Sequence, residues 1–274
     1  MISLPSIAIL GAGSMGGAIL AGLTQPGVEV DGRIRVTNRT AAKAGPLSSD
    51  RVESFALETT PDANLRAVAG ARLVLAGVKP AMIPDLLREI APALEPDAIV
   101  ISIAAAVPIA TMEAILPGAV LRAMPNTPAV LGLGVTGLAA GTRSTADDFA
   151  LARALFETVG TVIDVPENKI DALSTISGSG PAYVFYLIEE LTKTAVGLGF
   201  SATDAAAMVG GTFRGAAELL AASDVDPAEL RRRVTSPKGT TERAIAVLEE
   251  ADLTSLFDRA TAAALARAEE LAAG

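Results

Sequence analysis

Cysteine, histidine and tryptophan are all missing from this chain, and aromatic residues of any kind make up only 3% of it. Each absence removes a class of chemistry. Without thiols or imidazoles there is no Cys nucleophile, Ser-His-Asp triad, His general base or zinc site of the usual type, so no metal is expected. No disulfide can form, and nothing favours an oxidising compartment. Positive charge is also short: 22 Lys and Arg stand against 31 Asp and Glu, a formal net charge of −9. Nucleic-acid phosphates need clustered cations, so this balance argues against such a partner. The one basic run, Arg231-Arg232-Arg233, sits in an acidic helical context and reads as a solvated helix face. Unbroken apolar runs are lacking as well. Residues 123–142 carry no charge but hold two Pro, an Asn and four Gly. Residues 172–188 are interrupted by Ser177-Gly178-Ser179-Gly180-Pro181. A membrane-spanning helix wants about 20 predominantly apolar residues with intact backbone bonding. Met1–Ser6 has no basic start and runs directly into a strand, so no signal peptide is expected. The reading is a cytoplasmic protein that binds neither membrane nor nucleic acid.

What is present is a chain of 274 residues, half of them hydrophobic, with Ala, Val, Leu and Ile left to fill the core. Its first part alternates short apolar strands with helical stretches. Strands are predicted at residues 7–10, 34–37, 73–76, 99–103, 120–124, 135–139 and 162–164. Helices are predicted at 15–23, 80–90, 109–115 and 147–158. Alternation of this kind means a parallel sheet with crossover helices. After about Val165 the strand signals stop. Helices follow at 181–198, 202–222, 227–234, 241–250 and 253–272, the second opened by a capping box of Ser201 and Asp204. The predicted class is α/β: a Rossmann-type dinucleotide-binding domain over residues 1–164, then an all-helical domain over 165–274. The later helices are Ala-rich and apolar on more than one face. A helix apolar around much of its circumference is buried, and in so small a domain a second copy of the chain can supply that burial.

The first motif is Gly11-Ala12-Gly13-Ser14-Met15-Gly16, placed after a strand and opening a helix. Gly11 permits the tight turn, Gly13 lets backbone approach a pyrophosphate, and Gly16 allows close helix–strand packing. The helix start at Ser14 and Met15 attracts the negative charge. The second strand then separates the nicotinamide cofactors. An NAD site usually carries Asp or Glu at its end; this chain has Asn38-Arg39-Thr40, a forked donor and polar hydrogens suited to a 2′-phosphate. NADPH is the expected cofactor, with NADH weaker. Further strand ends bring Val78-Lys79-Pro80, the small residues around Ala104, and Met124-Pro125-Asn126-Thr127-Pro128 to the carboxyl edge where such sheets bind ligands. Lys79 reads equally as a cofactor contact or a surface lysine. Asn126 reads as a bond to nicotinamide or substrate, or as the cap of its own turn. Ser177–Tyr183 begins a long helix with small residues that allow close approach. Last, Thr235-Ser236-Pro237-Lys238-Gly239-Thr240-Thr241 is a polar turn into a helix, either an anion site for a substrate carboxylate or a capped helix without ligand.

Five of these blocks, Gly11–Gly16, Asn38–Thr40, Met124–Pro128, Ser177–Tyr183 and Thr235–Thr241, together resemble the pyrroline-5-carboxylate reductase family over almost the whole chain. The last two are the specific ones. The resemblance implies NADPH-dependent reduction of a cyclic imine to proline, a helical domain that dimerises by interlocking with its twin, and a possible ring of dimers. It implies that Ser236, Gly239, Thr240 and Thr241 form the substrate loop, with the Thr241 hydroxyl bonded to the ring nitrogen. It also places Asp224 near the ring, where the family usually has the longer Glu. Two further departures are Lys238 and Ala106, both at positions where the family has Gly. A Lys238 that needs φ > 0 would be strained, or would set a cation beside the carboxylate. An NADP-dependent 3-hydroxyacid dehydrogenase would want a catalytic Lys early in the helix after Gly180; this chain has Pro181-Ala182-Tyr183 there and no Lys until Lys193. A non-catalytic NADP-binding regulator is the alternative of another class.

Overall fold

The computed structural model describes residues 2–273, the last two by backbone alone. In the sheet-forming part, β1 (Ile2–Leu4), β2 (Ile7–Leu10), β3 (Val28–Val30), β4 (Ile34–Asn38), β5 (Val52–Ala56), β6 (Leu73–Ala76), β7 (Ile99–Ser102), β8 (Ala119–Met124), β9 (Gly134–Ala140) and β10 (Gly160–Asp164) alternate with helices. The helices are α1 (Ser14–Leu23), α2 (Ala41–Ala44), α3 (Ala63–Val68), α4 (Ile83–Ile90), α5 (Ile109–Glu113), α6 (Ala146–Glu157) and α7 (Ile170–Leu173). Eight strands form one sheet in the order β10-β9-β8-β7-β6-β2-β4-β5, while β1 and β3 pair separately. All pairs are parallel except β8 with β9. That exception is a local departure within the expected parallel sheet. The chain between β8 and β9 is shorter than the roughly dozen residues a crossover needs, so β9 must return antiparallel.

Side-chain alternation builds the two faces. Ile7, Ile9, Leu73, Leu75, Ile99 and Ile101 join Ile19, Leu23, Leu155 and Phe156 of α1 and α6 on one side. Ala8, Leu10, Val74, Ala76 and Val100 join Ile83, Leu87, Ile90 and Met112 of α4 and α5 on the other. Strands buried on both faces read as continuous apolar runs, which is why β2, β6 and β7 are legible in the sequence. Three strands, β1, β3 and β5, escaped the sequence reading. β1 and β3 are three residues long, and β5 is an edge strand whose Glu53 and Ser54 break the apolar run.

A second compact unit covers Gly180–Ala263, and the chain from Ala264 onward groups with the sheet. The periodicity change near residue 165 thus precedes the structural division. Residues just beyond β10 stay with the sheet because α7 packs there. Ile170 is fully buried, and Leu173 stands 2.8 Å from where a Cβ on Gly137 would lie. The second unit contains α8 (Gly180–Gly197), α9 (Ala202–Ala221), α10 (Pro227–Arg233), α11 (Thr240–Glu250) and the start of α12 (Leu253–Ala273). Ser201 caps α9 by accepting from the Asp204 amide at 3.1 Å. The reciprocal half of the expected box differs: the Asp204 carboxylate accepts from the Ser201 hydroxyl at 2.7 Å. The arginine run is ion-paired on the surface, Arg231 with Glu249 and Arg232 and Arg233 with Glu229. Hydrogen bonds from Arg232 and Arg233 hold the Glu229 carboxyl down at about 2.

Within this unit the buried apolar cluster consists of Ala195, Ala205 and Val209, with Ile188 and Phe213 packed against it. Phe185, Tyr186, Leu191, Leu198, Leu219 and Val247 are among many large apolar side chains left exposed. Among the described residues no helix is long and apolar enough to cross a membrane.

Candidate functional site

The strand order places the glycine turn where the sheet changes direction. From β2 the chain builds outward through β4 and β5, then crosses to the other side of β2 to begin β6. Open α/β sheets bind ligands at such a switch point, beyond the carboxyl ends of the strands. Gly11 has φ +90, and a Cβ there would lie 2.9 Å from the Gly77 carbonyl oxygen. A Cβ on Gly16 would lie 2.8 Å from the Gly11 carbonyl oxygen, whereas one on Gly13 would meet nothing within 4 Å. Gly11 thus sits at the turn against the end of β6, Gly16 packs closely on the turn, and Gly13 faces open space. Gly77 is the reciprocal close contact and escaped the sequence reading; a glycine just past a buried strand was the available signal. Val78 also lies against the turn, its Cγ1 3.1 Å from a Gly11 Cβ position. The amides of Gly11 and Ala12 donate to the Thr37 carbonyl at 3.1 and 3.0 Å, fastening the turn to the end of β4. No side chain caps α1, so the amides of Ser14 and Met15 remain for a ligand.

Beside this turn, Asn38 is buried and its Nδ2 has no hydrogen-bond partner. Orphaned buried donors are rare in folded proteins and carry a cost unless something satisfies them. Arg39 is exposed and enters no ion pair or side-chain hydrogen bond among the described residues. Thr40 begins α2 without a side-chain cap bond. The donor set at this strand end, one orphaned amide and one unpaired guanidinium, fits a phosphate on the adenosine ribose. Lys79 is exposed ahead of a short turn that begins at Pro80.

Two sequence candidates are engaged in the fold itself. The Asn126 oxygen accepts from the Val135 amide at 2.8 Å, and its Nδ2 donates to the Ser177 carbonyl at 2.9 Å. The geometry favours the turn-holding reading of Asn126 over a nicotinamide contact, because both ends of its side chain are used. Ala104 is buried and its amide donates to the Ser102 hydroxyl at 3.2 Å. Arg122 was missed in the sequence; it is buried at the end of β8 and pairs with Asp171 of α7 at 2.5 Å. Arg122 and Asn126 together clamp the segment 171–177 against the sheet edge. In that segment Ser174–Gly178 forms a π-helical turn, so helical structure precedes the expected start of α8.

In the helical unit, Ser236-Pro237-Lys238-Gly239 closes a turn in which the Gly239 amide donates to the Ser236 carbonyl at 2.9 Å. Lys238 has φ 60. Pro at the second position and φ > 0 at the third is the type II pattern, in which glycine normally fills the third position. The Gly239 amide is thus spent on the turn, a correction to its expected role as a substrate donor. Among the described residues the amides of Thr240 and Thr241 take no acceptor outside α11 and no side chain caps that helix; Thr241 is exposed. Glu242 accepts from the Lys238 amide at 2.8 Å and steadies the loop. Asp224, exposed in the α9–α10 connection, has no hydrogen bond or ion pair to this loop among the described residues.

Ala106, the other departure from the family's glycines, is left-handed too, with φ 58. A left-handed L-residue costs roughly 1–2 kcal/mol, and glycine recovers that less its own chain entropy. Lys238→Gly should therefore raise stability by about 0.5–1 kcal/mol, seen as a thermal midpoint about 1–4 °C higher. A lower midpoint would mean that the lysine stabilises the loop more than its backbone strains it.

The sheet and its glycine turn define a class, the Rossmann-type dinucleotide-binding proteins. Comparison with known proteins narrows it. Residues 167–271 match the family described as pyrroline-5-carboxylate reductase dimerisation, and residues 6–106 match the one described as NADP oxidoreductase, coenzyme F420-dependent. The chain is 39% identical to a pyrroline-5-carboxylate reductase of Pseudomonas aeruginosa, over 99% of this chain and 98% of that one. The solved pyrroline-5-carboxylate reductase of Coxiella burnetii superposes with a TM-score of 0.88 at 36% identity, covering 97% of this chain and 98% of that one. That of Plasmodium falciparum, described with NADP bound, shares the fold at a TM-score of 0.80 and 23% identity, over 97% and 98%. The chain belongs to the pyrroline-5-carboxylate reductase family.

Proposed function

We infer that this chain reduces the cyclic imine 1-pyrroline-5-carboxylate to L-proline with NADPH, the final step of proline biosynthesis. The observation that carries the reading is the full-length relationship to reductases of that name, at 39% identity, in a chain that keeps the glycine turn and the Thr240–Thr241 loop. NADPH supplies a hydride when bound. Gly11, Gly13, Ser14, Met15 and Gly16 are proposed to seat the pyrophosphate, Asn38, Arg39 and Thr40 the 2′-phosphate, and Val78, Lys79, Pro80 and Ala104 to border the dinucleotide. Residues 1–164 are proposed as the cofactor domain and 165–274 as the domain for dimerisation and substrate. The amides of Thr240 and Thr241, with Ser236, are proposed to hold the substrate carboxylate, and the Thr241 hydroxyl the ring nitrogen.

The chemistry suits a chain without His or Cys. A protonated imine already carries positive charge, and hydride arrival leaves a neutral amine, so no strong general acid is needed at that step. Ketone reduction would create an alkoxide and call for a proton donor. The test is NADPH oxidation with 1-pyrroline-5-carboxylate and other cyclic imines, beside NADP+ reduction with a panel of 3-hydroxyacids. Turnover of the hydroxyacids in place of the pyrroline would make the chain a hydroxyacid dehydrogenase, and cofactor binding without any turnover would make it a regulator.

The reading extends to assembly and location: a homodimer through the helical unit, further assembled into a ring of dimers, in the cytoplasm, without nucleic-acid or membrane partners. Its support is the exposed apolar helix faces around a buried cluster of only Ala195, Ala205 and Val209. Sedimentation at low micromolar concentration should give no stable monomer. A monomer with full activity would refute the dimer.

A further inference from the structure

The expected NAD-type carboxylate is absent from the end of β4, but another carboxylate reaches the same place. After β5 the chain continues alongside the end of β4, and three bonds fix it there. The Leu57 amide donates to the Asn38 carbonyl at 2.9 Å and the Glu58 amide to the Arg39 carbonyl at 3.2 Å. The Glu58 Oε1 accepts from the Ala41 amide at 2.5 Å. Glu58 is therefore tied to the chain on both sides of Thr40 and its carboxylate stands beside the residues assigned to the 2′-phosphate. It forms no ion pair with Arg39 within 4 Å among the described residues, although both side chains are exposed. Glu58 Oε2 takes no hydrogen-bond donor among those residues.

We propose that Glu58 is a cofactor-specificity residue that works against Arg39: it repels the 2′-phosphate of NADPH and accepts the 2′-hydroxyl of NADH. The inference rests on the cofactor reading above and deepens it. Arg39 and the orphaned Asn38 amide draw a phosphate to this strand end, and a fixed carboxylate beside them raises the cost of bringing in further negative charge. An unphosphorylated ribose meets the opposite balance. Its hydroxyl is a donor, and the free Glu58 oxygen is an acceptor of the kind that acidic residues supply in NAD sites. The chain is thereby set to use both cofactors, with a preference for NADPH smaller than Arg39 alone would give.

Calorimetric titration of the full-length protein with NADPH and with NADH, without substrate, reads this directly. In Glu58→Gln the side-chain oxygen still accepts from Ala41 while the charge is gone. The ratio of the two affinities should shift toward NADPH by about three- to tenfold, the scale of one charged contact at an exposed site, and the shift should shrink at high salt. Glu58→Ala should move the ratio the same way and serves if the glutamine variant is poorly folded. Arg39→Ala, measured alongside, separates the two claims. If Arg39→Ala collapses the ratio and neither Glu58 variant changes it, the role of Glu58 is refuted and the cofactor site stands. If Arg39→Ala leaves the ratio unchanged as well, the site itself is misassigned and the inference falls with it.

Discussion

Thr241→Val is expected to lower kcat/KM for 1-pyrroline-5-carboxylate about 5- to 150-fold, the loss of about 1–3 kcal/mol from one hydrogen bond at a positioned substrate. The substitution keeps the shape of the side chain and removes its hydroxyl. Thr241 is exposed in the first turn of α11. The adjacent carboxylate, Glu242, accepts from the Lys238 amide, and no hydrogen bond joins it to the Thr241 hydroxyl among the described residues. The hydroxyl can orient the imine but cannot transfer a proton as a catalyst, so Thr241→Ser should retain most activity. The amides of Thr240 and Thr241 persist in both variants, and binding of proline, which keeps the carboxylate, should weaken less than turnover. Steady-state kinetics with a parallel proline titration give both quantities. A wild-type kcat/KM in Thr241→Val would mean that the hydroxyl does not engage the ring nitrogen.

Arg39→Ala should weaken NADPH binding about tenfold or more and leave NADH nearly unaffected. Removing a forked cation from a phosphate costs about 1.5–3 kcal/mol, toward the lower end where the site is open to solvent. The effect is confined to the phosphorylated cofactor because Arg39 makes no side-chain contact that the fold depends on. Fluorescence titration of bound nicotinamide cofactor measures both affinities in one format. A uniform loss for the two cofactors would point to a damaged fold, and no loss for either would move the 2′-phosphate elsewhere.

Legibility in the sequence followed the range of the interactions. The glycine turn is local: φ +90 at Gly11 and the close approach at Gly16 are set by residues next to them in the chain or just across β2. Spacing alone therefore exposed them. The left-handed backbone at Lys238 was raised for a similar reason, since it falls where the family carries glycine; that at Ala106 was not foreseen, although it falls at such a position too. Asn126 was legible as a polar turn residue but not in its partners. Its bonds reach Val135 and Ser177, and the second lies 51 positions along the chain. Gly239 looked like a free donor until the type II turn consumed its amide. Glu58 was invisible because β5, the strand that delivers it, is a short edge strand with a broken apolar pattern. The buried Arg122 showed no signal, because a single arginine in an apolar strand does not reveal an Asp171 partner on a later helix.

Isotope transfer tests hydride delivery to the carbon–nitrogen double bond most directly. The protein would be incubated with 1-pyrroline-5-carboxylate and NADPH deuterated at C4 of the nicotinamide, and the product examined by mass spectrometry and NMR. Hydride delivery predicts L-proline carrying one deuterium on Cδ, the ring carbon that began as the imine carbon. Cofactor binding without labelled proline, or transfer of the label only when a ketoacid is supplied in place of the pyrroline, would contradict it.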